Sequence, residues 1–213
     1  MARILTITLN PALDLSVETA PLALGEVNRT GHTLMEPAGK GINVARVLAR
    51  LGHSVTVAGL LGDANAAPFE RLFEAEGLQD SFVRVPGQNR NNIKIAEAGG
   101  RVTDLNGPGF RVPDDAVQRL QLRLKSLLPE CDAVVIGGSL PNGFPPSGLA
   151  NLVEQASRAD KPVWLDTSGA GLKAGIKAGP YALKPNTDEL SDWAGTPLKD
   201  LASVAATADG IRA

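Results

Sequence analysis

Ala38-Gly39-Lys40-Gly41-Ile42-Asn43-Val44-Ala45-Arg46-Val47-Leu48-Ala49-Arg50-Leu51-Gly52-His53-Ser54-Val55-Thr56-Val57-Ala58-Gly59-Leu60-Leu61 is the stretch that decides the fold. Val44, Val47, Leu48 and Leu51 follow the i, i+3, i+4, i+7 spacing of an amphipathic helix, and Gly52 is placed to stop it. Ser54 to Leu61 then runs as a mostly aliphatic segment that reads as a buried strand. A glycine-rich loop, a helix and a buried strand in succession are one turn of an α/β design.

The same alternation extends in both directions. Ile4 to Leu9 reads as a strand ending at Asn10-Pro11, and Ala133 to Ile136 and Val163 to Leu165 read as further strands. Leu149, Leu152, Val153 and Ala156 repeat the helical spacing. Val117, Leu120, Leu124 and Leu127 mark another helix, with Pro113 expected to open its first turn. Two stretches interrupt the pattern. Asp14–Thr19 and Thr30–Met35 read as short strands, as do Asn91–Glu97 and Val102–Leu105, the last two joined at Gly99-Gly100 by an expected two-residue turn. Together they form a small β-sheet projecting from the main body. Towards the end, Tyr181–Leu183 reads as a strand, followed by helices over about Asn186–Ala194 and Leu198–Asp209. No returning strand follows, so the C-terminal part of the fold is expected to be missing.

Composition narrows the function classes. The 213 residues are 43% hydrophobic and 21% charged, ordinary usage for a soluble globular domain. A formal net charge of -2 provides no field for nucleic acid or an anionic membrane. Any phosphate site must come from local cations and backbone N–H groups. One cysteine, Cys131, cannot form a disulfide within the chain and fits a reducing compartment. There is no basic-then-apolar leader and no apolar run near ~18 residues, so the expectation is cytoplasmic, with no membrane or nucleic-acid partner. His32 and His53 are not spaced as metal ligands.

Five constellations carry chemistry. Asn10-Pro11-Ala12-Leu13-Asp14 leaves the first strand, where open α/β sheets bind ligands; the plain alternative is a turn capped by Asp14. Gly39, Lys40, Gly41 and Asn43 precede the helix, where backbone can approach a ligand and the helix N-terminus favours anions. Leu34 and Gly41 break the Walker A pattern, and no Gly-x-Gly-x-x-Gly is present. Arg90, Asn92 and Lys94 share one strand face by period two, suited to an anionic, hydroxyl-rich ligand or simply solvated. Gly137-Gly138-Ser139 follows a strand directly and offers a hydroxyl. In Lys184-Pro185-Asn186-Thr187-Asp188-Glu189, Asn186 and Glu189 share a helix face and can either form a capping box or order a hydrated Mg²⁺. Asp166, ending a strand, is a further carboxylate.

Taken in order, Asn-Pro-Ala-x-Asp, Ala-Gly-Lys-Gly-x-Asn-Val-Ala, Arg-x-Asn-x-Lys, Gly-Ser-Leu-Pro and Lys-Pro-Asn-x-x-Glu resemble the motif series of the PfkB (ribokinase-like) phosphosugar kinases from Ile4 to about Ala206. That resemblance implies a three-layer α/β/α sandwich spanning residues 1–213, with a β-sheet lid built from strands within about 13–35 and 90–105. It implies ATP and Mg²⁺ as cofactors, and phosphoryl transfer to a phosphosugar. The nearest branch converts fructose 1-phosphate to fructose 1,6-bisphosphate; tagatose 6-phosphate and fructose 6-phosphate are the alternative acceptors. Asp14, Gly39, Lys40, Gly41, Asn43, Arg90, Asn92 and Ser139 would bind the phosphosugar, with Arg90 on its phosphate. Lys184 and Asn186 would lie toward the nucleotide, Glu189 and Asp166 toward the metal, and the lid would clasp a second copy in a homodimer. The family's second signature, Gly-Ala-Gly-Asp, carries the catalytic base. It does not occur in these residues, since Gly169-Ala170-Gly171 is followed by Leu172, so that Asp is expected beyond Ala213 and the isolated chain is expected to bind without turnover.

Overall fold

A computed structural model describes residues 1–212. The chain runs β1 (Arg3–Thr8), β2 (Ala12–Thr19), β3 (Thr30–Ala38), α1 (Lys40–Arg50), β4 (Ser54–Gly62), α2 (Ala67–Ala75), β5 (Gln79–Asp80) and β6 (Val83–Val85). It continues through β7 (Arg90–Glu97), β8 (Val102–Asn106), α3 (Ala116–Leu127), β9 (Ala133–Gly137), α4 (Pro146–Arg158) and β10 (Val163–Asp166). The last elements are α5 (Gly169–Lys177), β11 (Ala182–Leu183), α6 (Thr187–Ala194) and α7 (Leu201–Arg212).

Among the described residues, seven strands form one sheet in the order β11-β10-β9-β1-β4-β5, with β6 also paired to β4. Each of these pairings is parallel. Parallel sheets need both faces covered. Alternation along β1 shows how: Leu5, Ile7 and Leu9 enter a core with Leu120 and Leu124 of α3 and Leu149, Leu152 and Val153 of α4. The opposite face packs Val55, Val57 and Leu61 of β4 against Ile42 and Ala45 of α1 and Phe69 and Phe73 of α2. The result is an α/β/α sandwich. Each fully buried Leu, Ile or Phe contributes about 1.5–3 kcal/mol. Strand order reverses at β1 and β9, so their carboxyl ends flank the crevice where such sheets bind ligands.

β3-β2-β7-β8 form a separate four-stranded sheet. The middle pair, β2 and β7, is parallel, with Ala12 beside Arg90 and Asp14 beside Asn92. Register gives this sheet two unlike faces. One carries the row Glu36-Asp14-Asn92-Asn106, the other the row Met35-Leu15-Ile93-Leu105.

Several local expectations are corrected. The β7–β8 connection is a three-residue loop, Ala98-Gly99-Gly100: Gly100 N–H donates to Glu97 O at 2.8 Å and Glu97 N–H to Arg101 O at 2.9 Å. Gly100 takes φ 84°, the left-handed residue that such a loop requires. Pro113 does not open α3; it starts a preceding turn in which its carbonyl accepts Ala116 N–H at 3.0 Å. The last helix begins at Leu201 because Asp200 Oδ1 accepts Ser203 N–H at 2.8 Å, a side-chain cap. Four elements go beyond those expected from the sequence: α2, α5, β5 and β6. The two strands have only 2 and 3 residues, and α5 opens on Gly169-Ala170-Gly171, a poor helix signal.

Candidate functional site

The carboxyl ends of β1, β9, β10 and β11 and the N-terminus of α1 converge on one crevice, over which the small sheet stands. Close approach there depends on glycine. A Cβ on Gly41 would lie 2.4 Å from Thr8 Oγ1 and 2.8 Å from Ile7 O, and one on Gly137 would lie 2.9 Å from Gly41 N. Only Gly allows the first turn of α1 to rest on the ends of β1 and β9. Gly39 precedes that turn at φ 143°, and no side chain caps the helix. Its first N–H groups are therefore left for a ligand.

Across the reversal point, Asn10 Nδ2 donates to Ser139 Oγ at 3.2 Å, tying the exit of β1 to that of β9. Ser139 is held from the other side through its neighbour: Gly138 N–H donates to Asp166 O at 2.8 Å and Thr167 Oγ1 donates to Gly138 O at 2.9 Å. On the small sheet, Asn92 Nδ2 donates to Asp14 Oδ1 at 2.9 Å. Asp14 and Asn43 line a cavity of about 350 Å³ between that sheet and α1, together with Glu36 and Arg46.

Arg90 stands at the root of β7 on the face that carries Asp14 and Asn92. Burial lowers the tendency of its guanidinium to hold charge, and the nearby Asp14 carboxylate offsets this in part. Arg90 Nε is enclosed without a partner, as are Asn92 Oδ1, Asn10 Oδ1 and Thr8 Oγ1. Buried polar atoms are normally satisfied. Four such atoms gather around one crevice, where a polar ligand could satisfy them.

At the other end of the crevice two carboxylates and two ammonium groups interlock. Lys40 Nζ lies 2.8 Å from Asp166 Oδ1 and 3.9 Å from Glu189 Oε1, and Lys184 Nζ lies 3.3 Å from Asp166 Oδ2. Asn186 and Glu189 form a capping box on α6: Asn186 Oδ1 accepts Glu189 N–H at 2.8 Å and Glu189 Oε2 accepts Asn186 N–H at 2.9 Å. That leaves Glu189 Oε1 directed at the crevice, so capping and a role toward a cation coexist in one side chain. Among the described residues no group of three or more His, Cys, Asp and Glu could hold a metal. The cation that Asp166 and Glu189 share is the Lys40 ammonium; Mg²⁺ itself keeps most of its water and takes only one or two carboxylates, so the pair is chemically compatible with it.

The predicted residues fall into two clusters: Asp14, Asn43, Arg90 and Asn92 beneath the small sheet, and Lys40, Asp166, Lys184, Asn186 and Glu189 at the far end. Gly39, Gly41 and Ser139 lie between them. Thr8, which packs against Gly41, and Asn65, Asn89 and Gly109, which surround the root of Arg90, belong to none of the five sequence constellations. A larger cavity of about 690 Å³, lined by Ile176, Tyr181, Leu183, Ala208 and Ile211, holds none of the predicted residues. No helix among the described residues is long and apolar enough to cross a membrane.

The profile of the pfkB family carbohydrate kinases matches residues 7–213. Over 199 residues the chain is 42% identical to the 1-phosphofructokinase of Vibrio cholerae, covering 93% of this chain and 63% of that protein. It is 43% identical over 213 residues to the 1-phosphofructokinase of Haemophilus influenzae, covering 100% and 68%. Among solved structures, phosphofructokinase-2 from Escherichia coli in complex with fructose-6-phosphate superposes with a TM-score of 0.87 at 30% identity, covering 99% of this chain and 70% of that one. A possible 1-phosphofructokinase from Thermotoga maritima gives a TM-score of 0.88 at 29% identity, covering 98% and 68%. The chain thus spans 63% and 68% of the two curated relatives.

Proposed function

The chain belongs to the pfkB family of carbohydrate kinases, and on that premise we propose that it supplies the acceptor-sugar site of an ATP-dependent kinase that phosphorylates fructose 1-phosphate to fructose 1,6-bisphosphate. The observation that carries this is Arg90: a half-buried guanidinium beside Asp14 and Asn92, with Nε enclosed and unpartnered. Such a cation is prepared for a phosphate, because much of its desolvation is already met before the ligand arrives.

In this reading Arg90 takes the existing phosphate. Asp14, Asn43 and Asn92 take the sugar hydroxyls, and Gly39, Lys40 and Gly41 bring backbone N–H groups and one cation alongside. The Ser139 hydroxyl accepts from Asn10 at 3.2 Å, which leaves its own proton to be donated to the ligand. Lys184 and Asn186 face the triphosphate of ATP, and Asp166 and Glu189 would hold hydrated Mg²⁺, which when bound neutralises charge on the transferring group. These groups position the acceptor and stabilise charge; the transfer moves the γ-phosphoryl group to the acceptor hydroxyl and leaves ADP.

The apolar face of the small sheet favours a homodimer in which that sheet acts as lid and clasp. Met35 is 56% and Leu105 52% exposed, in one row with Leu15 and Ile93. A four-strand apolar row with exposed ends favours an interaction surface, and a second copy would present the same apolar row across a two-fold axis. A single cysteine, free and buried, supports the reading of a cytoplasmic protein, since oxidising compartments favour disulfides.

The test is a comparison of binding and of ATP-dependent ADP release with fructose 1-phosphate, fructose 6-phosphate and tagatose 6-phosphate. Preference for fructose 1-phosphate supports the assignment. A higher kcat/KM for either 6-phosphate moves it to that acceptor, and binding of none of them removes it.

A further inference from the structure

Asn89 is a polar residue only 1% exposed, and it sits where the chain leaves the core for the small sheet, one residue before Arg90. Its side chain pairs with the end of β4 as a strand would: Oδ1 accepts Gly62 N–H at 2.8 Å and Nδ2 donates to Gly62 O at 3.0 Å. Its backbone is taken by Asn65, whose Oδ1 accepts Asn89 N–H at 2.8 Å and whose Nδ2 donates to Asn89 O at 3.2 Å. A fifth bond, Asn89 Nδ2 to Asn65 Oδ1 at 2.7 Å, closes the network. Only an amide side chain offers a donor and an acceptor side by side; Asp lacks the donor and Leu lacks both.

Glycines make this junction tight. A Cβ on Gly62 would lie 2.6 Å from Gly87 O and 2.8 Å from Asn89 N. On the outer side, a Cβ on Gly109 would lie 3.1 Å from Arg90 Cβ and 3.2 Å from Arg90 N. Arg90 is therefore gripped at its root between the asparagine network and the Gly109 backbone. A fully satisfied buried network is rigid. That rigidity fixes the point and direction in which the Arg90 side chain leaves the backbone, which narrows the positions its guanidinium can take for bidentate recognition of a phosphate.

We propose that Asn89, braced by Asn65, is a positioning residue for the Arg90 guanidinium, setting its plane toward the phosphate of the acceptor. This deepens the reading of Arg90 as the phosphate-holding group and rests on it.

The experiment is calorimetric titration of the chain with fructose 1-phosphate, with thermal melting recorded alongside, for the wild type and for Asn65→Ala, Asn89→Ala, Arg90→Ala and Arg90→Lys. Asn65→Ala is the working variant, because removing Asn89 strips partners from buried Gly62 and can prevent folding. We expect Asn65→Ala to weaken binding about 10-fold, the equivalent of one lost hydrogen bond. In the Arg90→Lys background, where no planar fork remains to be oriented, the same change should cost less than about twofold. An Asn65→Ala variant that binds as the wild type does, while Arg90→Ala does not, overturns the positioning role and leaves the Arg90 reading standing. Equal losses in both backgrounds, tracking a lower Tm, also overturn it, since a merely structural role is indifferent to residue 90. An Arg90→Ala variant that binds normally overturns the Arg90 reading itself.

Discussion

Replacing Arg90 by Ala separates the binding role of this side chain from any role in stability. Its guanidinium is partly dehydrated, its Nε is enclosed without a partner, and the adjacent Asp14 carboxylate is hydrogen-bonded to Asn92. In the free protein, then, Arg90 is an unmet demand: burial of an unsatisfied donor costs about 1–3 kcal/mol. Arg90→Ala should leave the melting temperature unchanged or raise it slightly, despite the loss of aliphatic packing. Toward a phosphate the sign reverses. A charge-assisted hydrogen bond contributes about 1.5–3 kcal/mol, so affinity for fructose 1-phosphate should fall about 10- to 150-fold. Calorimetry with fructose 1-phosphate and with inorganic phosphate reads the effect, and light scattering confirms that the oligomeric state is unchanged. An affinity within twofold of wild type in a folded protein of unaltered assembly would refute the reasoning, since an exposed or idle cation contributes that little.

Gly41→Ala sets two effects against each other: helix propensity favours Ala by about 1 kcal/mol, but the new methyl would meet Thr8 Oγ1 and the Ile7 backbone. Backbone cannot yield cheaply, so a net loss of about 1–2 kcal/mol in urea unfolding is expected, with weaker phosphosugar binding as Lys40 and Asn43 are pushed outward; a stabilised variant would contradict the packing. Burial alone would raise the Glu76 carboxyl, but hydrogen bonds from Arg46 and Arg50, at 2.9 and 2.8 Å, hold it below its ordinary 4.5. A depressed folded value stabilises above the unfolded one and is lost as pH falls through the folded one. Glu76→Gln should therefore cost about 1–2 kcal/mol at pH 7 and progressively less below about pH 4, read from unfolding curves across that range. Replacing Met35 and Leu105 together by Glu should turn the proposed homodimer into monomers by light scattering; a dimer that survives the change would overturn the small sheet as its interface.

Much of the fold was legible because periodicity survives in a linear string. The aliphatic runs of β1, β4, β9 and β10 and the helical spacing of α1, α3 and α4 are local properties, written wherever one face must be buried. Glycine 100 was visible as a turn residue, but the loop length was not, because it depends on which residues pair across β7 and β8. The short β5 and β6 exist only through their pairing with β4, and α5 begins with residues whose propensity argues against a helix. Candidate residues were legible to the extent that motifs announced them: a polar or glycine residue just after an apolar run is a local signal. Their relations were not.

The sequence by itself determined the layered α/β class, the positions of Ser139 and Asp166 at or just after strand ends, and the shared strand face of Arg90 and Asn92, because each follows from where a periodic apolar run begins and stops along the chain. Only the tertiary structure decided that Lys40 meets Asp166 at 2.8 Å, that Asn10 meets Ser139 across the strand reversal, and that Asn89 is locked onto Gly62 one residue before Arg90. Those contacts join residues 126, 129 and 27 positions apart. No propensity encodes them: they are set by strand order and by glycines that let backbones touch, so the ligand-facing geometry came into being only when the sheet closed.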